Sequence, residues 1–67
     1  MTSQEELSIM NWINDKIELI KFRRNIDCSE EQINKEIAWN KDYLELVTRG
    51  YGLDPREYIR RYEDKLK

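Results

Sequence analysis

The stretch from Ser29 to Gly50 constrains the fold more than any other part of the chain, because it contains the start, the periodic middle and the stop of one long helix. Ser29 stands three residues before Gln32, the spacing of a capping box in which the serine oxygen accepts a first-turn backbone N–H. Gly50 is expected to end the helix in the left-handed conformation. The sequence therefore predicts a helix over about residues 30–49.

Apolar residues recur along this helix at helical spacing, which predicts one buried face. They stand at Ile33, Ile37, Leu44 and Val47, and Asn40 occupies the position that would continue the row.

A similar pattern precedes this helix. Ser3 and Glu6 fit a second capping box, and apolar residues then follow at spacings of three and four: Leu7, Met10, Ile13, Ile17 and Ile20. The pattern predicts a first helix over about residues 4–25. Because few residues separate the two helices, we expect them to lie side by side and antiparallel.

A third, shorter helix is predicted over about residues 55–66. Asp54 is placed as its N-cap and Pro55 as its first residue, and Ile59, Tyr62 and Leu66 are spaced to form one buried stripe with Tyr58 beside it. The sequence thus predicts a single all-α domain, an antiparallel helical hairpin of two long helices plus a short C-terminal helix.

The length and the cysteine content limit how such a fold is stabilised. A chain of 67 residues buries only about 60% of its unfolded surface, so help from a partner is expected. The single Cys28 excludes an internal disulfide, and one cysteine without any histidine excludes the usual zinc ligand sets. Self-association remains as a source of extra stability.

The sequence lacks the features that most often indicate an enzyme. There is no histidine for acid–base chemistry at neutral pH, no glycine-rich phosphate loop, and the acidic residues cluster at predicted helix N-termini, where they complement the helix dipole. Cys28 also precedes a helix N-terminus, but Asp27, Glu30 and Glu31 disfavour its thiolate. We therefore expect a non-enzymatic protein without metal or other cofactor.

The distribution of charge and hydropathy predicts a location. No apolar run approaches the ~18 residues of a membrane span, and the first residues lack the basic and apolar regions of a signal peptide. The formal net charge is only −2, which does not predict strong attraction to nucleic acid. We expect a cytoplasmic protein with no membrane partner.

The two long helices carry more large apolar side chains than a hairpin and one short helix can easily cover. We predict that these residues form a protein interface: Trp12, Leu19, Phe22, Trp39, Tyr43 and Leu46. A second copy could cover them in a four-helix homodimer with Asn40 near its middle. Alternatively, helix 3 folds back and covers them within a monomer. Either way, the predicted role is that of an adaptor, inhibitor, regulatory or assembly factor acting through protein contacts.

The competing hypothesis is a small DNA-binding regulator. Helix 2, a glycine-containing turn and helix 3 could form a helix-turn-helix, with Arg56, Arg60 and Lys67 on one face of helix 3 to meet phosphates. Against this, Glu63 and Asp64 would repel phosphates, and the turn is long for that motif.

Overall fold

A computed structural model describes residues 3–67 and places three helices in them, with no strand in that range. Helix α1 spans Gln4–Asn25, α2 spans Glu30–Gly50 and α3 spans Pro55–Leu66. The observed bounds agree with the predicted ones to within one residue, and the all-α fold class is confirmed. Within these residues no helix is long and apolar enough to cross a bilayer.

Local capping explains why the helices begin where they do. Ser3 Oγ accepts a hydrogen bond of 3.2 Å from the Glu6 backbone N–H, and Ser29 Oγ accepts one of the same length from Gln32. Asp54 caps α3 in the same manner. Each cap satisfies a backbone donor that the first helical turn leaves without a partner.

The prediction that Gly50 adopts the left-handed conformation is wrong. Gly50 is the last residue of α2, and the left-handed residue is Gly52, at φ 74°. Gly52 N–H donates to Arg49 O and Leu53 N–H donates to Thr48 O, the hydrogen bonds of a Schellman motif. Helix α2 thus extends slightly further than predicted, and the second glycine of the turn, rather than the first, takes the left-handed position.

The end of α1 has the same geometry without a glycine. Asp27 adopts φ 59°, the Asp27 N–H donates to Arg24 O, and the Cys28 N–H donates to Arg23 O. Aspartate tolerates this conformation better than most residues, because its short polar side chain can form local hydrogen bonds. The motif reverses the chain within four residues, 26–29.

The side-chain pairs give the direction of each helix. Trp12 stacks on Tyr43, and Arg23 pairs with Glu36, so α1 and α2 run antiparallel. Asn40 bonds to Tyr62 and Lys41 lies 3.7 Å from Glu63, so α3 packs against α2. Further contacts join α3 to α1: Arg61 with Met10 and Lys65 with Asn14. The three helices therefore form an up-down-up bundle.

The core lies where the three helices meet. Its largest cluster of buried side chains comprises Ile9, Ile13, Ile17, Leu44, Tyr58 and Tyr62. Ile20 and Ile33 are also buried, closer to the turn between α1 and α2. The buried apolar core is thus made of isoleucines from α1, Ile33 and Leu44 from α2 and two tyrosines from α3.

Several core predictions were wrong in detail. Leu7 was placed in the buried row, yet it is exposed, and Ile9 is buried instead. Leu7 lies six residues before Ile13, about 120° around the helix, so it points away from the centre of the bundle. On α3, Ile59 is predicted in the buried stripe with Tyr58 beside it. In the structure Tyr58 is buried and Ile59 is only partly covered, because the side of α3 that carries Tyr58 and Tyr62 packs against the other helices.

Asn40 corrects a further prediction. It was placed near the middle of a four-helix dimer, but its side chain is 1% exposed within a single chain and lies against Tyr62. Helix α3 therefore covers this side of the hairpin, and not the six apolar residues that the monomeric alternative places under it. It leaves the opposite side of α1 and α2 uncovered.

Candidate protein-contact face

A ladder of aromatic rings crosses from α1 to α2. The Trp12 and Tyr43 rings stack with centroids 4.8 Å apart, and the Tyr43 and Trp39 rings stack at 5.5 Å with an interplanar angle of 10°. Such offset stacking is worth about 0.5–1.5 kcal/mol per pair beyond the area it buries. The Lys16 ammonium lies 5.7 Å from the Trp12 ring, within cation–π range. Three of the six predicted interface residues are thus in direct contact.

Helical geometry places this ladder on the side away from α3. On α1, Met10 and Asn14 contact α3, and Trp12 lies two residues from each of them, about 200° around the helix. On α2, Lys41 pairs with α3, and both Trp39 and Tyr43 lie two residues from it. We call this surface, defined by the six predicted residues, the α1–α2 face.

Exposure varies across the α1–α2 face. Leu46 is 73% exposed and Trp39 is 59% exposed, and Phe22 is exposed to a similar extent. Leu46 follows Tyr43 by three residues and therefore continues the apolar strip of α2. Trp12 and Leu19 are partly buried, and Phe22, one turn beyond Leu19, lies at the edge of the face. The face is therefore partly covered at Trp12 and Leu19 and open to water at Trp39 and Leu46.

A cleft adjoins the aromatic ladder. Its volume is about 190 Å³, and it opens between the first half of α1 and the second half of α2. Its lining is mostly apolar: Ser8, Ile9, Trp12, Tyr43, Leu44, Val47 and Tyr51. A space of this size fits one large apolar side chain of a partner, the arrangement by which interfaces anchor a residue that contributes much of the binding energy.

An ion pair lies at the end of the face that is nearest the turn between α1 and α2. Arg23 Nε lies 2.8 Å from Glu36 Oε2 and joins α1 to α2. Both side chains are partly covered, so the attraction between them is offset in part by the hydration that each charge loses. The two charges of the pair offset each other and leave no net charge at this end.

The basic residues predicted to contact nucleic acid lie elsewhere. Arg56 and Arg60 are exposed on α3, and Lys67 is exposed just beyond its last residue. Lys67 Nζ is 4.0 Å from Asp64 Oδ1. Helix α3 runs parallel to α1, as the Arg61–Met10 and Lys65–Asn14 contacts show, and therefore back along α2, whereas a helix-turn-helix holds its helices at about 90–120°.

Two phenols have altered acidity. Burial raises the pKa of Tyr58 above its ordinary value, and the negative charge of Glu6 adds to the effect. Burial also raises the pKa of Tyr62, although the hydrogen bond from Asn40 opposes the change. Both rings belong to the core, so they report on packing rather than on a reactive site. In residues 3–67 no group of acidic, cysteine or histidine side chains is arranged to hold a metal ion.

Sequence reasoning missed the bond between Asn40 and Tyr62. Each residue was recognised on its own, Asn40 as a polar residue in an apolar row and Tyr62 as part of the stripe of helix 3. The two residues are 22 positions apart, so no capping or helix-spacing pattern relates them. A signal did exist, because a buried asparagine requires a polar partner and tyrosine is the one polar residue of the predicted buried stripe.

Comparison with known proteins gives no relative from which a role could be transferred. No family model, no curated protein and no solved structure matches this chain.

Proposed function

We propose that this chain is a non-enzymatic protein-binding module that acts through its α1–α2 face. The observation that carries the proposal is that α3 closes the core, yet Trp39 and Leu46 remain mostly exposed beside a stacked aromatic ladder. Monomeric proteins rarely expose large contiguous apolar patches unless the patch has a role. Tryptophan, tyrosine and phenylalanine are also the residues enriched in protein interfaces.

The proposed role is that of an adaptor, inhibitor, regulatory or assembly factor in the cytoplasm. One unpaired cysteine supports a reducing compartment. The apolar cleft beside Trp12 supports binding by insertion of a partner side chain. A module of this kind needs a surface and no reactive group, and this is what the α1–α2 face offers.

Site-specific photo-crosslinking in the cells that naturally produce the protein tests this proposal. A p-benzoylphenylalanine replaces Leu46, which is 73% exposed at the end of the α2 strip of the α1–α2 face, and in a matched control it replaces Leu7, which is also exposed but lies outside the face. We expect a discrete protein adduct from position 46 and none from position 7. Absence of an adduct at position 46, or equal adducts at both positions, would overturn the proposal.

DNA binding by α3 is the second candidate. It is supported by the exposure of Arg56, Arg60 and Lys67. Such binding would weaken steeply with salt, because basic side chains release counterions from phosphates. Replacing the three residues together by Ala should then abolish retention on DNA at low salt. If the unaltered protein is not retained in a salt-sensitive manner, this candidate is wrong.

A further inference from the structure

We infer that the occupant of the α1–α2 face is a second copy of this chain, packed face to face so that two α1–α2 pairs form a four-helix core with each α3 on the outside. This inference rests on the proposed function, because it names the partner of the same surface. It differs from the dimer expected from the sequence, since Asn40 lies under α3 and takes no part in the contact.

The shape of the face supports a pair of helices as its occupant. The apolar residues of the face form two rows on two antiparallel helices, with Trp12 and Leu19 seven residues apart on α1 and Trp39, Tyr43 and Leu46 at spacings of four and three on α2. Rows of this period pack against rows of the same period in helical bundles. A second copy supplies two such rows at the same separation, as a two-fold interface requires.

The area of the face fits a dimer of ordinary size. Large aromatic side chains have about 150–250 Å² of surface each. With a similar area for leucine, the exposed fractions of Phe22, Trp39, Tyr43 and Leu46 (57%, 59%, 39% and 73%) leave roughly 340–570 Å² open on these four residues. A standard interface buries about 800 Å² per partner, and about 65% of a homodimer interface is apolar. The apolar part expected for one partner is therefore roughly 500 Å².

The charge around the face favours a copy of itself over a strongly charged partner. The charged residues three or four positions from Trp12, Leu19 or Trp39 number three of each sign: Asp15, Glu36 and Asp42 against Lys16, Arg23 and Lys35. Arg23 and Glu36 already neutralise each other. A balanced surface neither attracts a polyanion nor repels its own copy, whereas a one-signed surface would do both.

The test is the molar mass of the full chain in solution, measured by light scattering or sedimentation from micromolar to near-millimolar protein. We expect the mass to rise from 8.3 kDa toward twice that value. Leu46→Glu should raise the dissociation constant at least tenfold, because it places a charge within the apolar contact. The matched control Leu7→Glu should leave it unchanged, and far-UV circular dichroism should show both variants folded.

Each outcome decides the inference. A monomer across the whole range, or a dimer that Leu46→Glu leaves intact, would overturn it. The crosslink at position 46 separates this failure from that of the proposed function. An adduct with a different protein would keep the proposed function and overturn the second copy, an adduct of twice the chain mass would support both, and no adduct would overturn the proposed function.

Discussion

Asn40 Nδ2 donates a 2.8 Å hydrogen bond to Tyr62 Oη, and both side chains are buried between α2 and α3. The bond fixes how far α3 slides along α2, because another register would leave two buried polar groups without partners. Asn40 Oδ1 is buried as well and has no hydrogen-bond partner among the described residues. The pair therefore specifies the arrangement at some cost in stability.

Removing one partner of this bond should cost more than replacing both. We expect Tyr62→Phe to lower the free energy of unfolding by about 1–3 kcal/mol, because it leaves the Asn40 amide buried and unsatisfied. Asn40→Leu together with Tyr62→Phe should recover most of that loss. Urea unfolding of Asn40→Leu, Tyr62→Phe and the double variant measures the coupling energy between the two residues. Purely additive losses would contradict the explanation.

Stability should fall in alkaline solution. An unfolded tyrosine ionises near pH 10, whereas burial keeps Tyr58 protonated to higher pH. The unfolded state therefore loses its proton first, so the contribution of Tyr58 is fully present below about pH 10 and is lost as pH rises through its raised pKa. Urea unfolding between neutral pH and pH 11 should give a smaller alkaline decline for Tyr58→Phe than for the unaltered chain. An equal decline in both would count against the raised pKa.

The two glycines of the second turn should respond oppositely to alanine. Gly50 is helical, and a Cβ added there has open space around it, so Gly50→Ala should raise the free energy of unfolding by about 0.4–1 kcal/mol. Gly52 has φ 74°, so Gly52→Ala should lower it by about 1–2 kcal/mol. Thermal or urea unfolding measures both changes in the free energy of unfolding. If Gly50→Ala destabilises the protein and Gly52→Ala does not, Gly50 is the left-handed residue after all.

Core packing can be tested with two leucines of different burial. Leu44 is buried in the central cluster, so Leu44→Ala should cost about 2–5 kcal/mol. Leu7 is 51% exposed, so Leu7→Ala should change the free energy of unfolding by no more than about 0.5 kcal/mol. Similar losses at both positions would mean that Leu7 belongs to the core after all.

The sequence could predict the helix bounds because their causes are local. Ser3, Ser29 and Asp54 each cap a helix through a hydrogen bond to a residue two or three positions away. The choice between Leu7 and Ile9 as a core residue could not be predicted in this manner, because it depends on the side from which α3 approaches α1. The same approach decides that Asn40 is covered within one chain.

The sequence could predict which residues make up the candidate face, but not how they are arranged. An excess of large apolar residues on the long helices was evident from their number, and the structure brings Trp12, Tyr43 and Trp39 into one stacked ladder. The ladder depends on which residues face each other across two antiparallel helices. The spacing of apolar residues along one helix shows which side of that helix is apolar. It does not show which residues of α1 lie opposite which residues of α2.

The two four-residue connections, 26–29 and 51–54, also bear on how quickly the chain finds its structure. Each joins helices that pack directly against one another, so the loop-closure entropy lost at each step is small. Helical bundles with such near-neighbour contacts fold in microseconds to milliseconds. Folding of this chain should therefore be complete well before two molecules meet at micromolar concentration, so a binding partner would meet a chain that is already folded.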